Sequence, residues 1–220
     1  PEERAARPRY LTAGPWFARR GFVVLVPARR GYGQSTGPFA EGYGSCTRPN
    51  FLKAGAATAT DIRAGLRWLR RQPFVDAGRI LAAGQSAGGF GVLALAAWKP
   101  NGLIAVMNFA GGRGSPADGE NCGVRELTAA FGEFGRLTTI PSLWVYAEND
   151  KLFDANLARR FYLAYAKNTR ARTSFIKTPS FGSNGHGLFS APTGPAVWGP
   201  VVADFLDSLD IDVSAGPDPI

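Results

Sequence analysis

The sequence predicts an α/β fold, in which a mostly parallel β-sheet is covered by helices on both faces. Strand-sized apolar runs alternate with helical patterns from one end of the chain to the other. The first run, at 22–26, is apolar at successive positions, as expected of a strand buried on both sides. With 220 residues and 45% hydrophobic content, the chain can bury one sizeable core, and its length suits a single domain.

The elements follow in order. Residues 1–20 read as a short leader and a first helix. Phe22-Val23-Val24-Leu25-Val26, closed by Pro27, predicts the first strand. Residues 58–71 predict a helix with Ile62, Leu66 and Leu69 on its inner side and Arg63, Arg67, Arg70 and Arg71 on its outer side. Residues 79–84 predict a second strand, 87–98 a helix of small residues and 103–109 a third strand. Pro141 precedes a fourth strand at 142–147, followed by a helix at 156–167, a fifth strand at 173–177 and a closing helix at 197–209. The tail from 210, with Gly216, Pro217 and Pro219, is expected to fray, so the domain is taken as 1–209.

The formal charge is +8, from 25 Lys+Arg against 17 Asp+Glu. The arginines on the helix at 58–71 read as a solvated face, and no nucleic-acid-binding motif accompanies them. No apolar run approaches the ~18 residues of a membrane span. The chain starts at Pro1 with no charged-then-apolar leader, so a targeting segment is taken as removed or not included.

Two connections, 31–51 and 111–123, are long and glycine-rich, and loops of this length commonly line or cover a site. Each carries one of the two cysteines, Cys46 and Cys122, in surroundings unlike those of buried free thiols. A Cys46–Cys122 disulfide is therefore expected. It points to an oxidising compartment, periplasmic or secreted, with the cytoplasm as the alternative if the bond is absent.

Gly84-Gln85-Ser86-Ala87-Gly88 lies between a predicted strand and a predicted helix, the context of a nucleophile elbow. A sharp turn there exposes the Ser86 hydroxyl over a helix N-terminus, and side chains at Gly84 and Gly88 are expected to collide with nearby chain. A serine nucleophile needs a base, and the chain has one histidine, His186, in a glycine-rich loop after the last strand. A carboxylate must then orient the imidazole. Glu148, Asp150 and Asp154 all follow the fourth strand and stand as candidates.

The chain resembles the α/β-hydrolase superfamily, and within it the dienelactone-hydrolase and prolyl-oligopeptidase-like group of serine esterases. The likeness covers residues 8–209. It rests on GQSAGG at the elbow, on Ala18-Arg19-Arg20-Gly21-Phe22-Val23-Val24 leading to Arg30-Gly31-Tyr32-Gly33-Gln34-Ser35, on Ala147-Glu148-Asn149-Asp150-Lys151-Leu152-Phe153 and on Gly185-His186-Gly187. The resemblance implies that Asp150 is the acid, giving a triad of Ser86, Asp150 and His186 in that chain order. It implies hydrolysis of an ester-like bond in a small-molecule acyl substrate through an acyl-enzyme. The alternatives are a peptidase or acyltransferase on the same triad, or a non-catalytic binding protein.

Tyr32, Phe39, Tyr43 and Trp198 are candidate pocket residues. No metal cluster, phosphate-cradling loop or dinucleotide fingerprint is present, so no cofactor is expected. The resemblance also implies a strand, with a His-Gly loop after it, between 22–26 and 79–84 in the sheet. Nothing upstream of Arg20 supplies it. The chain thus reads as N-terminally truncated, keeping the Ala87 N–H as one oxyanion donor. A gap, or a direct pairing that distorts the elbow, is expected between the two flanking strands.

Overall fold

The computed structural model describes residues 10–214. Chain order is α1 (Ala13–Ala18), β1 (Gly44–Ser45), β2 (Arg48–Pro49), α2 (Phe51–Leu69), β3 (Ile80–Gln85), α3 (Ala87–Ala97) and β4 (Leu103–Phe109). It continues with α4 (Val124–Leu137), β5 (Ser142–Ala147), α5 (Ala155–Asn168), β6 (Thr173–Thr178) and α6 (Gly194–Asp207). The main sheet is parallel with order β3-β4-β5-β6, and β1 and β2 form a separate small hairpin.

The period of two along each strand divides the interior into two cores. Val106 of β4 and Trp144 and Tyr146 of β5 point into a core shared with α2, α3, α4 and α5. Their alternates, Ala105, Met107, Phe109, Leu143, Val145 and Ala147, point into a second core shared with α1 and α6. Helices therefore cover both faces, as the sequence predicts.

Local signals set several helix starts. Asn50 caps α2 by accepting the Lys53 amide, and Asp154 caps α5 by accepting those of Asn156 and Leu157. Pro195 opens α6, where its missing N–H costs nothing.

Four expectations are corrected. Residues 22–26 belong to no strand: among the described residues they form no ladder, the Phe22 amide turns back to the Phe17 carbonyl at 3.3 Å, and Val23, Val24 and Val26 are each more than 40% exposed. The helix expected at 58–71 begins at Phe51, directly after the first long connection, which carries the β1–β2 hairpin. A helix, α4, occupies a stretch given no element by the sequence reading. The start of the tail is packed, since Ile211 is buried in the second core and its amide donates to the Leu206 carbonyl. Residues 215–220, and the leader at 1–9, lie outside the described residues.

Candidate active site

β3 ends at Gln85, and the chain turns sharply at Ser86 into α3. Ser86 has φ 53° and ψ −121°, a left-hand-side conformation that a non-glycine residue holds only when its surroundings fix it. The fixing bonds are backbone ones. Ser86 N–H donates to the Phe109 carbonyl at 3.0 Å, while its carbonyl accepts from Phe90 at 3.0 Å and Gly112 at 3.2 Å. A β-carbon on Gly84 would lie 2.3 Å from the Gly88 carbonyl carbon, so only glycine fits there. Gly88 differs from expectation: a β-carbon there meets nothing closer than Arg29 Nη1 at 3.8 Å.

The turn after β5 holds Asp150, which is 2% exposed. Its Oδ1 accepts the Leu152 and Phe153 amides at 2.9 and 3.0 Å, which orients the carboxylate. Both carboxylate oxygens lie 3.1 Å from His186 Nδ1. A carboxylate is acceptor-only, so the ring proton sits on Nδ1 and Nε2 is left to accept one. The other two candidate acids are engaged elsewhere. Glu148 is exposed and paired with Lys177 at 2.7 Å, which holds its carboxyl below the usual range, and Asp154 caps α5.

Two asparagines that the sequence reading passed over join the Asp150 loop to the His186 loop. Asn184 Oδ1 accepts the amides of His186 at 3.0 Å and Lys151 at 3.1 Å. Asn149 Oδ1 accepts the Phe181 amide at 2.8 Å, and its carbonyl accepts that of Gly185. Gln85, the x of Gly-x-Ser, donates from Nε2 to the His186 carbonyl at 2.7 Å. The Ser86 turn, the Asp150 loop and the His186 loop are thereby hydrogen-bonded to one another. Their only advance signal was amide side chains beside each candidate residue.

The connection from Gly111 braces this group from beneath. Tyr146 OH donates to the Gly111 carbonyl at 2.6 Å, and burial pushes that phenol well above its ordinary range. Gly119 N–H donates to the Lys151 carbonyl and Asn121 Nδ2 to that of Leu152. The same connection is bonded to the hairpin through the Cys46–Cys122 disulfide, with Cα atoms 4.7 Å apart, as expected from the sequence. A buried ion cluster joins the two loops a second time. Glu41 receives Arg29 Nε at 2.5 Å, Arg113 Nη2 and the Tyr32 hydroxyl at 3.0 Å. Burial alone would raise the Glu41 pKa, but Arg113 and Arg29 overrule it and hold it below the usual carboxylate range.

The candidate pocket aromatics have packing roles in this arrangement. Tyr32 lies under the Arg29 guanidinium and edge-on to Phe39, and Tyr43 stacks on Phe51. Trp198 is 0% exposed among Phe109, Phe189 and Trp16, so it is a core residue with no surface for a substrate. Among the described residues no cluster of metal-ligating side chains occurs, and no helix is long and apolar enough to cross a membrane.

The fold is similar to that of an esterase from Pyrococcus furiosus, with a TM-score of 0.59 and 14% identity over 88% of this chain and 72% of that one. A lipase-esterase related protein from Clostridium acetobutylicum matches at TM-score 0.56 and 12% identity, over 91% and 90% of the two chains. A puromycin-hydrolyzing peptidase from Mycobacterium tuberculosis matches at TM-score 0.51 and 17% identity, over 77% of this chain and 28% of that one. No curated protein matches the sequence. The family model of the X-Pro dipeptidyl-peptidases matches residues 2–122, more than half of the chain. With the parallel sheet and the strand–turn–helix at Ser86, this places the chain in the X-Pro dipeptidyl-peptidase (S15) family, on the α/β-hydrolase fold.

Proposed function

We propose that the protein is a serine hydrolase that cleaves an ester-like acyl bond through an acyl-enzyme. Ser86 attacks the carbonyl, His186 Nε2 takes the hydroxyl proton and later delivers it to the leaving group, and Asp150 holds the ring and stabilises the imidazolium. The Ala87 N–H, at the first turn of α3, is the donor for the developing oxyanion. Water then attacks the acyl-enzyme, with His186 as base, and releases the acid. The observation that carries this reading is the Asp150–His186 pair held against the Ser86 turn by Gln85.

A second reading, a peptidase on the same residues, is favoured by the family match to X-Pro dipeptidyl-peptidases. A fluorophosphonate probe tests the shared chemistry: labelling of Ser86, absent in Ser86→Ala and strongly slowed in His186→Ala, is expected. No labelling of the folded protein would sink both readings and leave a binding role. Turnover of short and aromatic esters against aminoacyl amides then separates esterase from peptidase. The disulfide supports an oxidising, extracytoplasmic location.

A further inference from the structure

The Asp150 carboxylate takes its direction from two backbone amides, those of Leu152 and Phe153. Each amide shares a rigid trans peptide plane with the carbonyl of the residue before it, and the two groups point opposite ways. Holding the carbonyl therefore aims the amide. Both carbonyls are held from the same place: the Gly119 amide donates to the Lys151 carbonyl at 2.7 Å, and Asn121 Nδ2 donates to the Leu152 carbonyl at 3.0 Å. The Lys151 carbonyl belongs to the plane of the Leu152 amide, and the Leu152 carbonyl to that of the Phe153 amide.

Gly119 and Asn121 lie in a small loop with little packing of its own. Residues 116–120 are exposed, and the loop closes through the Ala117–Glu120 bridge and the bond from the Cys122 amide to the Gly114 carbonyl at 2.6 Å. Its base is pinned by the Cys46–Cys122 disulfide, one residue beyond Asn121. A segment with few buried contacts opens locally at low cost, and a covalent pin beside it restricts that opening. Cys46 is exposed in the turn between β1 and β2, so the bond is open to a thiolate.

We infer that Asn121 is a positioning residue for Asp150 and that the Cys46–Cys122 bond keeps it in place, so that the oxidised protein turns over faster than the reduced one. This dependence rests on the catalytic reading above, in which Asp150 orients His186. A dithiol breaks the S–S bond by giving two electrons and two protons to Cys46 and Cys122; two thiols result, and the dithiol becomes a disulfide. The side chains of Ser86, Asp150 and His186 are chemically untouched. What loosens is the hold on the two peptide planes that aim amides at Asp150. The protein is thereby most active where disulfides persist and least active where thiols are kept reduced.

The test compares oxidised and dithiol-reduced protein, well below the melting temperature of either, with Asn121→Leu alongside. Reduced wild type and oxidised Asn121→Leu should each lose about tenfold in kcat on a turned-over ester, with KM little changed. Reducing Asn121→Leu should cost less than about twofold more, because both changes act through one contact. Hydrogen exchange of the Leu152 and Phe153 amides reads the positioning independently of turnover, and should quicken about tenfold in each of these states. If Asn121→Leu does not fold, Asn121→Asp keeps the shape and turns an oxygen to the Leu152 carbonyl in place of the donor. Wild-type kcat and exchange unaltered by reduction, or full and independent losses from reduction and from the Asn121 variant, would overturn the proposal. Absence of fluorophosphonate labelling in the oxidised wild type would instead strike the catalytic reading, and this dependence with it.

Discussion

Gln85 donates its side-chain amide to the main-chain carbonyl of His186, so the residue before the candidate nucleophile fixes the loop that carries the candidate base. Removing the donor with Gln85→Met keeps the volume and frees that loop to drift. A displacement of about 1 Å at a reacting group costs up to about a hundredfold. The expected result is a 10- to 100-fold fall in kcat with KM little changed. Unchanged kcat on a turned-over ester would show that the loop is positioned by Asn149 and Asn184 alone.

Asp150→Asn tests the orienting carboxylate. The amide can present its NH2 to Nδ1 and so reverse the ring tautomer, leaving Nε2 protonated and unable to accept from Ser86. Turnover should fall by about 10⁴-fold while far-ultraviolet circular dichroism stays the same. Glu148→Gln, at an exposed surface pair, should leave kcat within a factor of about two.

Glu41 neutralises one of the two arginines that enclose it. Glu41→Gln leaves both guanidinium groups buried without a counter-charge and should destabilise by about 3–5 kcal/mol, read from urea unfolding. The pH dependence has a definite sign. The folded-state pKa is depressed below the ordinary value of 4.5, so the contribution is complete above that value and is lost as pH falls through the folded value. Acid titration of the wild type should show a loss that the Glu41→Gln variant lacks.

The disulfide closes a separation of 76 residues and should stabilise by about 4 kcal/mol in the chain-entropy model. Reduction, or Cys46→Ser with Cys122→Ser, should lower Tm. Thiol titration of the purified native protein should find no free thiol before reduction. Two free thiols would remove the support for an oxidising compartment.

Much of this arrangement was legible because the determining signals are local. The Ser86 turn, the strands at 103–109 and 142–147 and the Cys46–Cys122 bond each follow from a short run of residues. The helix α4 was not legible, because Gly132 and Gly135 weaken helix propensity in a segment following a glycine-rich loop. Tertiary packing supplies the reason for them: a β-carbon at Gly135 would sit 2.2 Å from the Tyr165 carbonyl oxygen, so the glycine lets α4 and α5 touch. Spacing alone does not choose among Glu148, Asp150 and Asp154: the resemblance implied Asp150, and the path of the turn is what sets its carboxylate beside His186 Nδ1. Residues 22–26 failed as a strand for a different reason, since their composition reports burial whereas a ladder requires a neighbour.

The division of the interior into two cores has an optical consequence. Trp144 is fully enclosed on one face of the sheet and Trp198 on the other, while Trp68 and Trp98 are open to solvent. Single-tryptophan versions retaining Trp144 or Trp198 would each report by fluorescence on one face alone. Coincident denaturation midpoints would mean that the sheet couples its two faces into one cooperative unit. An earlier midpoint for Trp198 would mean that α1 and α6 peel away first, leaving the Ser86 turn attached to the sheet that carries it.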